Sequence, residues 1–402
     1  MLFDGETRET IGVSSNEVIP SLLPEIVSDI LSRLPIEDIM RSKTVCKDWY
    51  ALTKDPHFIN LHLSRALCLP RRIIVEPRGE VPITSLYLIE TTDGMWRGRE
   101  LPVSCAQGNY LYTLAYCHGL ICGASSFCKM GPLFIYNPIT REYVELPETD
   151  IEAEPDKLSV SLGFGFDSIG KKYKVVRFFK LYDDDLQTHM KGEIITLGEG
   201  SWRGLEVPET VICGTRRKPV FLDETLYWIT EKNSFLGGDG LLAFDLSTEK
   251  FRTVKFPSSL IRSINIPDKL FLLNLGETLF LVEHGYRHCF RVWRIVRSNT
   301  KKGYKFYESF HSMTVTYDVV GWSMKVMERW IDNTFLFHLK GALFRSKIDM
   351  KDHLSLYFPE KDEFQIVEVL RIPEFFEPTL FVPCLVSPCS AHNDGAQENN
   401  FN

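Results

Sequence analysis

Positive charge is in short supply in this chain. Its 46 Lys and Arg face 53 Asp and Glu, for a net charge of −7, which argues against a nucleic-acid or anionic-membrane surface. Cysteine is too thin for a disulfide scaffold, ten in 402 residues, and no asparagine glycosylation sequon occurs. A reducing compartment is expected, cytoplasm or nucleus. No apolar run approaches the roughly 18 residues that would span a bilayer, and the opening MLFDGETRET lacks the basic-then-apolar order of a signal peptide. Gly-x-Ser-x-Gly elbows, His-Glu-x-x-His helices and Walker loops are all missing. No catalysis, cofactor or metal is expected. What remains is an ordinary globular composition, 44% hydrophobic and 25% charged, long enough for a small module and one large domain.

Residues 1–17 and 387–402 are polar, lack periodicity and are expected to be disordered tails. Between them the character changes once. Residues 18–65 carry helical spacing, and residues 66–386 carry short β-type runs broken by Gly, Pro, Asn and Asp.

In the helical part, Leu23, Ile26, Val27, Ile30, Leu31 and Leu34 fall on one stripe of a helix. Pro24 suits its first turn, and Pro35 stops it. A short second helix holds Ile36, Ile39 and Met40, and a third places Val45, Trp49 and Leu52 on one face before Asp55-Pro56. A last helical turn or two follows from Phe58. A unit of roughly 40 residues needs a disulfide, a metal or a partner to be stable. Cys46 stands alone and no metal-ligand spacing is present, so a partner is expected. Leu22, Leu23, Pro24, Pro35, Val45, Cys46 and Trp49 are too many for one side of a three-helix core.

At these residues the sequence resembles the F-box, the adaptor-docking module of cullin-type ubiquitin ligases. The resemblance rests on Leu23-Pro24, Ile30-Leu31, Leu34-Pro35, Met40-Arg41, Val45-Cys46-Lys47, Trp49 and Asp55-Pro56-x-Phe58. It implies that Leu23, Pro24, Ile30, Leu31, Leu34, Pro35, Val45, Cys46 and Trp49 pack on a Skp-type adaptor, and through it reach cullin and RING subunits.

The β part repeats. Residues 116–147 and 223–257 share one order: strand, polar hairpin, strand ending in Asn or Asp, a turn with Thr, strand. Asn137-Pro138-x-Thr140 and Asp245-x-x-Thr248 are the matching turns, whose side chains can bond their own backbone. Thr225, Thr278 and Thr334 mark one recurring strand at spacings of 53 and 56 residues. Stepping back by a similar period reaches KYKVVRFF and then GLIC. A period of roughly 50 residues with three or four strands is a propeller signature. About six units fit between Leu67 and Val386; a β-sandwich is the alternative. The GL-I-C, NP-x-T-x-E, LGFGFDSIGKKYKVVR, SWR, LYW and FDL-x-TEKF elements look like the F-box-associated domain of large plant F-box families. True kelch blades need a Gly-Gly pair each, and only Gly237-Gly238 occurs. The expected architecture is a multidomain α+β chain, a small three-helix F-box followed by an all-β propeller-like domain.

Other features read as structural. Cys105, Cys117, Cys122 and Cys128 lack a Cys-x-x-Cys knuckle for zinc. Asp183-Asp184-Asp185 lacks the alternating ligands of a calcium loop. Gly163-Phe164-Gly165 has no following helix to bind phosphate and reads as a strand with close backbone approach. Trp202, Trp228 and Trp293 are expected in blade cores, while Trp96 and Trp322 are candidates for exposed recognition residues.

Taken together, the resemblances imply a non-catalytic substrate receptor of a Skp–cullin–F-box ubiquitin ligase, with the β domain holding a target protein. The alternative is a Skp-bound scaffold or competitor that acts without target degradation. For target binding, the longest polar insertions, Tyr182 to Lys191, Thr230 to Asp239 and Arg297 to Lys305, are expected at one face of the domain.

Overall fold

The structure is a computed structural model that describes residues 22–78, 84–103, 112–124, 132–151, 158–182, 188–208, 218–230, 240–258, 260, 270–275, 278–284, 289–297, 304–314, 319–329, 334–344, 347–348, 351–358, 360–361 and 363–389. The chain divides into two compact units at Arg65/Ala66.

The first unit has four helices rather than three: α1 (Pro24–Leu31), α2 (Ile36–Ser42), α3 (Lys47–Leu52) and α4 (Pro56–Leu67). The expected last turn from Phe58 is a helix of 12 residues. Asp55-Pro56 is therefore a start as well as a stop. The Asp55 Oδ1 accepts the Phe58 N–H at 2.9 Å, and Pro56 fits the first turn, where no N–H partner is lost. Val45 precedes α3 instead of belonging to it, because Cys46 is extended (φ −157°) and serves as the N-cap. The core consists of Leu31, Ile36, Ile39, Phe58 and Leu63.

The second unit is six sheets of four or five strands, antiparallel throughout except where Val369–Leu370 joins the edge of the first in parallel. The first holds β1 (Arg72–Pro77), β2 (Ser85–Thr92) and β3 (Met95–Pro102). The second holds β4 (Tyr112–Cys117), β5 (Leu120–Ala124), β6 (Leu133–Tyr136) and β7 (Tyr143–Glu145). In the third are β8 (Leu158–Asp167), β9 (Lys172–Tyr182), β10 (Thr188–Thr196) and β11 (Arg203–Leu205). The fourth comprises β12 (Val220–Leu222), β13 (Thr225–Ile229), β14 (Gly240–Asp245) and β15 (Lys250–Lys255). The fifth comprises β16 (Leu270–Asn274), β17 (Leu279–His284), β18 (Cys289–Arg297) and β19 (Tyr304–Thr314). The sixth holds β20 (Val319–Arg329), β21 (Phe335–Phe344), β22 (Lys347–Ile348), β23 (His353–Phe358) and β24 (Glu363–Val367). The chain then returns to the first sheet. There β25 (Val369–Leu370) pairs with β3, and β26 (Phe376–Phe381) pairs with β1.

This is a six-bladed propeller whose ring is closed by its last strand. KYKVVRFF, GLIC and the strands at Thr225, Thr278 and Thr334 all prove to be the second strand of their blades. The sandwich alternative fails on the core. A sandwich has one core between two sheets, whereas here six apolar clusters each join a blade to its neighbour. One joins Ile74, Leu88 and Phe381 to Ile121 and Tyr136; another joins Leu120 and Ile135 to Phe164 and Val175. The series runs on to Phe376 and Val75 against Leu336 and Leu354, which completes the circle.

Both faces of a blade are thus buried, and β9 shows how. Val175 packs toward the second blade, while Val176 and Phe178 pack toward the fourth, as strand alternation requires. Gly163 and Gly165 do mark close approach. A Cβ at Gly163 would lie 2.6 Å from Trp228, and one at Gly165 would lie 2.5 Å from Leu246.

The expected turns form as well. Asn137 Oδ1 accepts from Ile139 at 2.8 Å, and Asp245 Oδ1 accepts from Thr248 at 2.8 Å.

Candidate functional site

The α1 stripe separates into two edges. Val27, Leu31 and Leu34 turn inward: Leu31 is only 3% exposed, and the other two are half-buried. Leu23, Ile26 and Ile30, spaced i, i+3 and i+7, turn outward, with Leu23 at 63%. Leu31 therefore belongs to the core of the unit and not to the exposed set expected of it. Pro24, Pro35 and Cys46 are exposed, and Trp49 is half-buried. Val45, at 63%, sits in the connection between α2 and α3.

Two helix starts shape this surface. Leu23 O accepts from Ile26 and Val27, and Pro35 O accepts from Asp38 and Ile39, so each Pro-containing corner holds its neighbours outward. On α3 no residue is buried, and Tyr50 is exposed. Ile26 and Tyr50 are exposed without having been expected to be, while Leu22, already counted as surplus to the core, is exposed too. The i, i+3 relation of Ile26 to Leu23 was the available signal for one of them.

The unit is held shut elsewhere. Asp29 takes Arg65 at 2.5 Å and Arg33 at 3.1 Å, which fastens α4 to α1. These guanidinium contacts, Arg65 first, hold the Asp29 carboxyl below its usual range. Six large apolar side chains, Leu22, Leu23, Ile26, Ile30, Val45 and Tyr50, stay exposed beside a core of five. That is a large open apolar surface for so small a unit.

In the β unit, the antiparallel order sorts the connections by end. Links from first to second and from third to fourth strands leave one end, the turn end. Links from second to third strands, and between blades, leave the other, the loop end. Turn-end links are short, such as 93–94, 118–119, 168–171 and 223–224. The opposite end carries the long ones, including 146–157, 206–219, 230–239 and 256–269.

The three expected target loops do not share a face. Those after β9 and β13 leave the loop end, while the link from β18 to β19 leaves the turn end. Residues 183–187, 231–239 and 298–303 of these loops lie outside the described residues. The first loop is also shorter than expected, since Thr188–Lys191 pairs with β9 as strand.

Trp228 and Trp293 are buried. Trp202 is half-buried: its Nε1 donates to Pro147 O at 2.7 Å, and the Arg177 guanidinium lies 4.0 Å from its ring. Trp96 is not free for recognition; it packs half-buried on the cluster between the first and last blades. The side chain of Trp322, like Cys105, Cys128 and Asp183 to Asp185, lies outside the described residues. Cys117 and Cys122 are buried thiols without a disulfide. Among the described residues no cluster of His, Cys, Asp or Glu suited to a metal occurs, and no helix is long and apolar enough to cross a membrane.

The chain thus combines a helical unit rich in exposed apolar side chains with a closed six-bladed ring. The family model described as the F-box associated beta propeller domain matches residues 87–295, and the F-box-like model matches 21–63. The chain belongs to the F-box proteins with a C-terminal F-box-associated propeller.

Among relatives in Arabidopsis thaliana, F-box protein CPR1 is 29% identical over 255 residues, 58% of this chain and 60% of the relative. An F-box/kelch-repeat protein is 27% identical over 257 residues, 59% of this chain and 66% of the relative. An F-box/LRR-repeat protein is 24% identical over 375 residues, 87% of this chain and 79% of the relative. The first two matches thus span less than two thirds of the relatives' own length.

Proposed function

We propose that this chain is the substrate-recognition subunit of a Skp–cullin–F-box ubiquitin ligase. Its helical unit docks on the Skp adaptor through the outward face of α1, the Pro35 corner, Val45-Cys46 and Trp49. Its propeller holds a target protein. The subunit contributes proximity and selection rather than bond chemistry, because tethering raises the local concentration of the target near the transfer machinery. The observation that carries this reading is the unburied apolar set of a unit matched by the F-box-like family.

The test is adaptor capture by purified full-length protein. Replacing Leu23 and Ile30 together by Asp should abolish capture of a Skp adaptor while the β unit melts as before. Undiminished capture overturns the docking assignment. Targets recovered by affinity purification should accumulate when the proteasome is inhibited; targets whose abundance does not change point to a scaffold.

A further inference from the structure

Closure of the propeller by β26 does not end the chain's path through the ring. After Phe381 it continues onto the second blade, burying Cys384 and Leu385 at 0% and 3% exposure. Val386 packs against the cluster between the second and third blades. The anchor is Asn137, itself fully buried. Its Oδ1 is occupied by the turn that joins β6 to β7, and its Nδ2 donates to Cys384 O at 3.1 Å and to Val386 O at 2.7 Å. On the other side, the Cys384 thiol donates to His118 O at 3.0 Å, in the turn between β4 and β5. Gly119 leaves the necessary room, since a Cβ there would stand 2.3 Å from Val382 O. Its φ of +78° suits glycine besides.

We propose that residues 382–386 are a strap that closes the ring a second time, onto the second blade, with Asn137 as its clasp, and that the strap opens without the ring opening. The first closure is a six-pair strand ladder between β26 and β1. Among the described residues the second has no strand ladder. Residues 382–386 are held by the two Asn137 amide hydrogen bonds, the Cys384 thiol bond and the packing of Pro383, Cys384, Leu385 and Val386. Beyond them the Cys389 thiol donates to Tyr143 O at 3.4 Å. Segments held by few backbone bonds open at lower free energy than paired strands.

Cys384 and Cys122 are built-in reporters. Both are fully buried, one under the strap and the other inside β5. Burial pushes the Cys384 thiol up to about 12, so in native protein iodoacetamide should spare both. The Asn137→Asp variant keeps an oxygen for the turn but sets a carboxylate against two carbonyls, where a donor stood. Alkylation of Cys384, read by mass spectrometry, should rise roughly tenfold or more, the effect of losing two bonds from a buried group. Cys122 should stay protected. Equal gains at both sites, or none at Cys384, overturn the proposal. Wild-type protein supplies the second arm, should the variant not fold. In rising urea, Cys384 should react at a lower concentration than Cys122, and simultaneous reaction overturns the independent opening.

Discussion

Asp352 shows how single buried charges hold the seam between the last blade and the first. Its side chain is fully buried against Arg78 at 2.5 Å. It also accepts the N–H groups of Gly341 at 3.0 Å and Phe376 at 2.7 Å. His338 Nε2 lies 3.7 Å away, too far for a good hydrogen bond. Burial alone would raise the carboxyl, but the hydrogen bonds from its side-chain and backbone partners outweigh it and hold the group below its usual range. The sign follows. A carboxyl depressed in the folded state stabilises above its unfolded value, about 3.9, and loses that contribution as pH falls through its folded value. Urea midpoints measured between pH 7 and pH 3 should therefore drop steeply at the acid end, and Asp352→Asn should flatten that drop. Asp352→Ala should cost about 2–3 kcal/mol at pH 7, below the usual figure for a broken buried pair because Arg78 keeps some water. Thermal melts of the two variants check this.

At the level of elements, α1 makes a sharper prediction than its stripe did. Ile30 and Leu31 are adjacent, equally apolar and opposite in role. Leu31→Ala should lower stability of the helical unit by about 2–4 kcal/mol, as for core truncations. Ile30→Asp should change stability by less than about 0.5 kcal/mol, as for surface sites, yet weaken adaptor binding roughly thirtyfold or more, as for a central anchor. Calorimetry and a binding titration on both variants separate the effects. Should Ile30→Asp prove the more destabilising, the outward face is mis-assigned.

Across the whole molecule, the two ends of the propeller predict different responses to loop surgery. Replacing 183–187 or 231–239 by Asn-Gly shortens links at the loop end. Replacing 298–303 shortens one at the turn end. Loop length costs little, so all three should melt within a few degrees of the parent. We expect capture of the purified target to fail for at least one loop-end variant and to survive the turn-end one. Loss confined to the turn-end variant would move recognition to that end.

Much of this was legible in residues 22–389. Helix spacing located α1 and α2, because an isolated helix must turn its apolar side somewhere. The recurring second strand marked five blades, and the length between Leu67 and Val386 left room for about six, since each blade repeats the same burial problem at the same step. Asn137 and Asp245 announced their turns, because a short acceptor side chain bonds backbone two or three residues away and needs nothing distant. Spacing could not sort Ile30 from Leu31, which share a stripe until α4 packs against one edge. Nor could it sort the blade faces: when both sides of a strand are buried, alternation carries no mark of which neighbour each side meets. The ends of the loops, the seam at Asp352 and the clasp at Asn137 join residues up to 274 positions apart. No local pattern encodes a hydrogen bond across such a distance; closing the ring is what brings its two halves within reach.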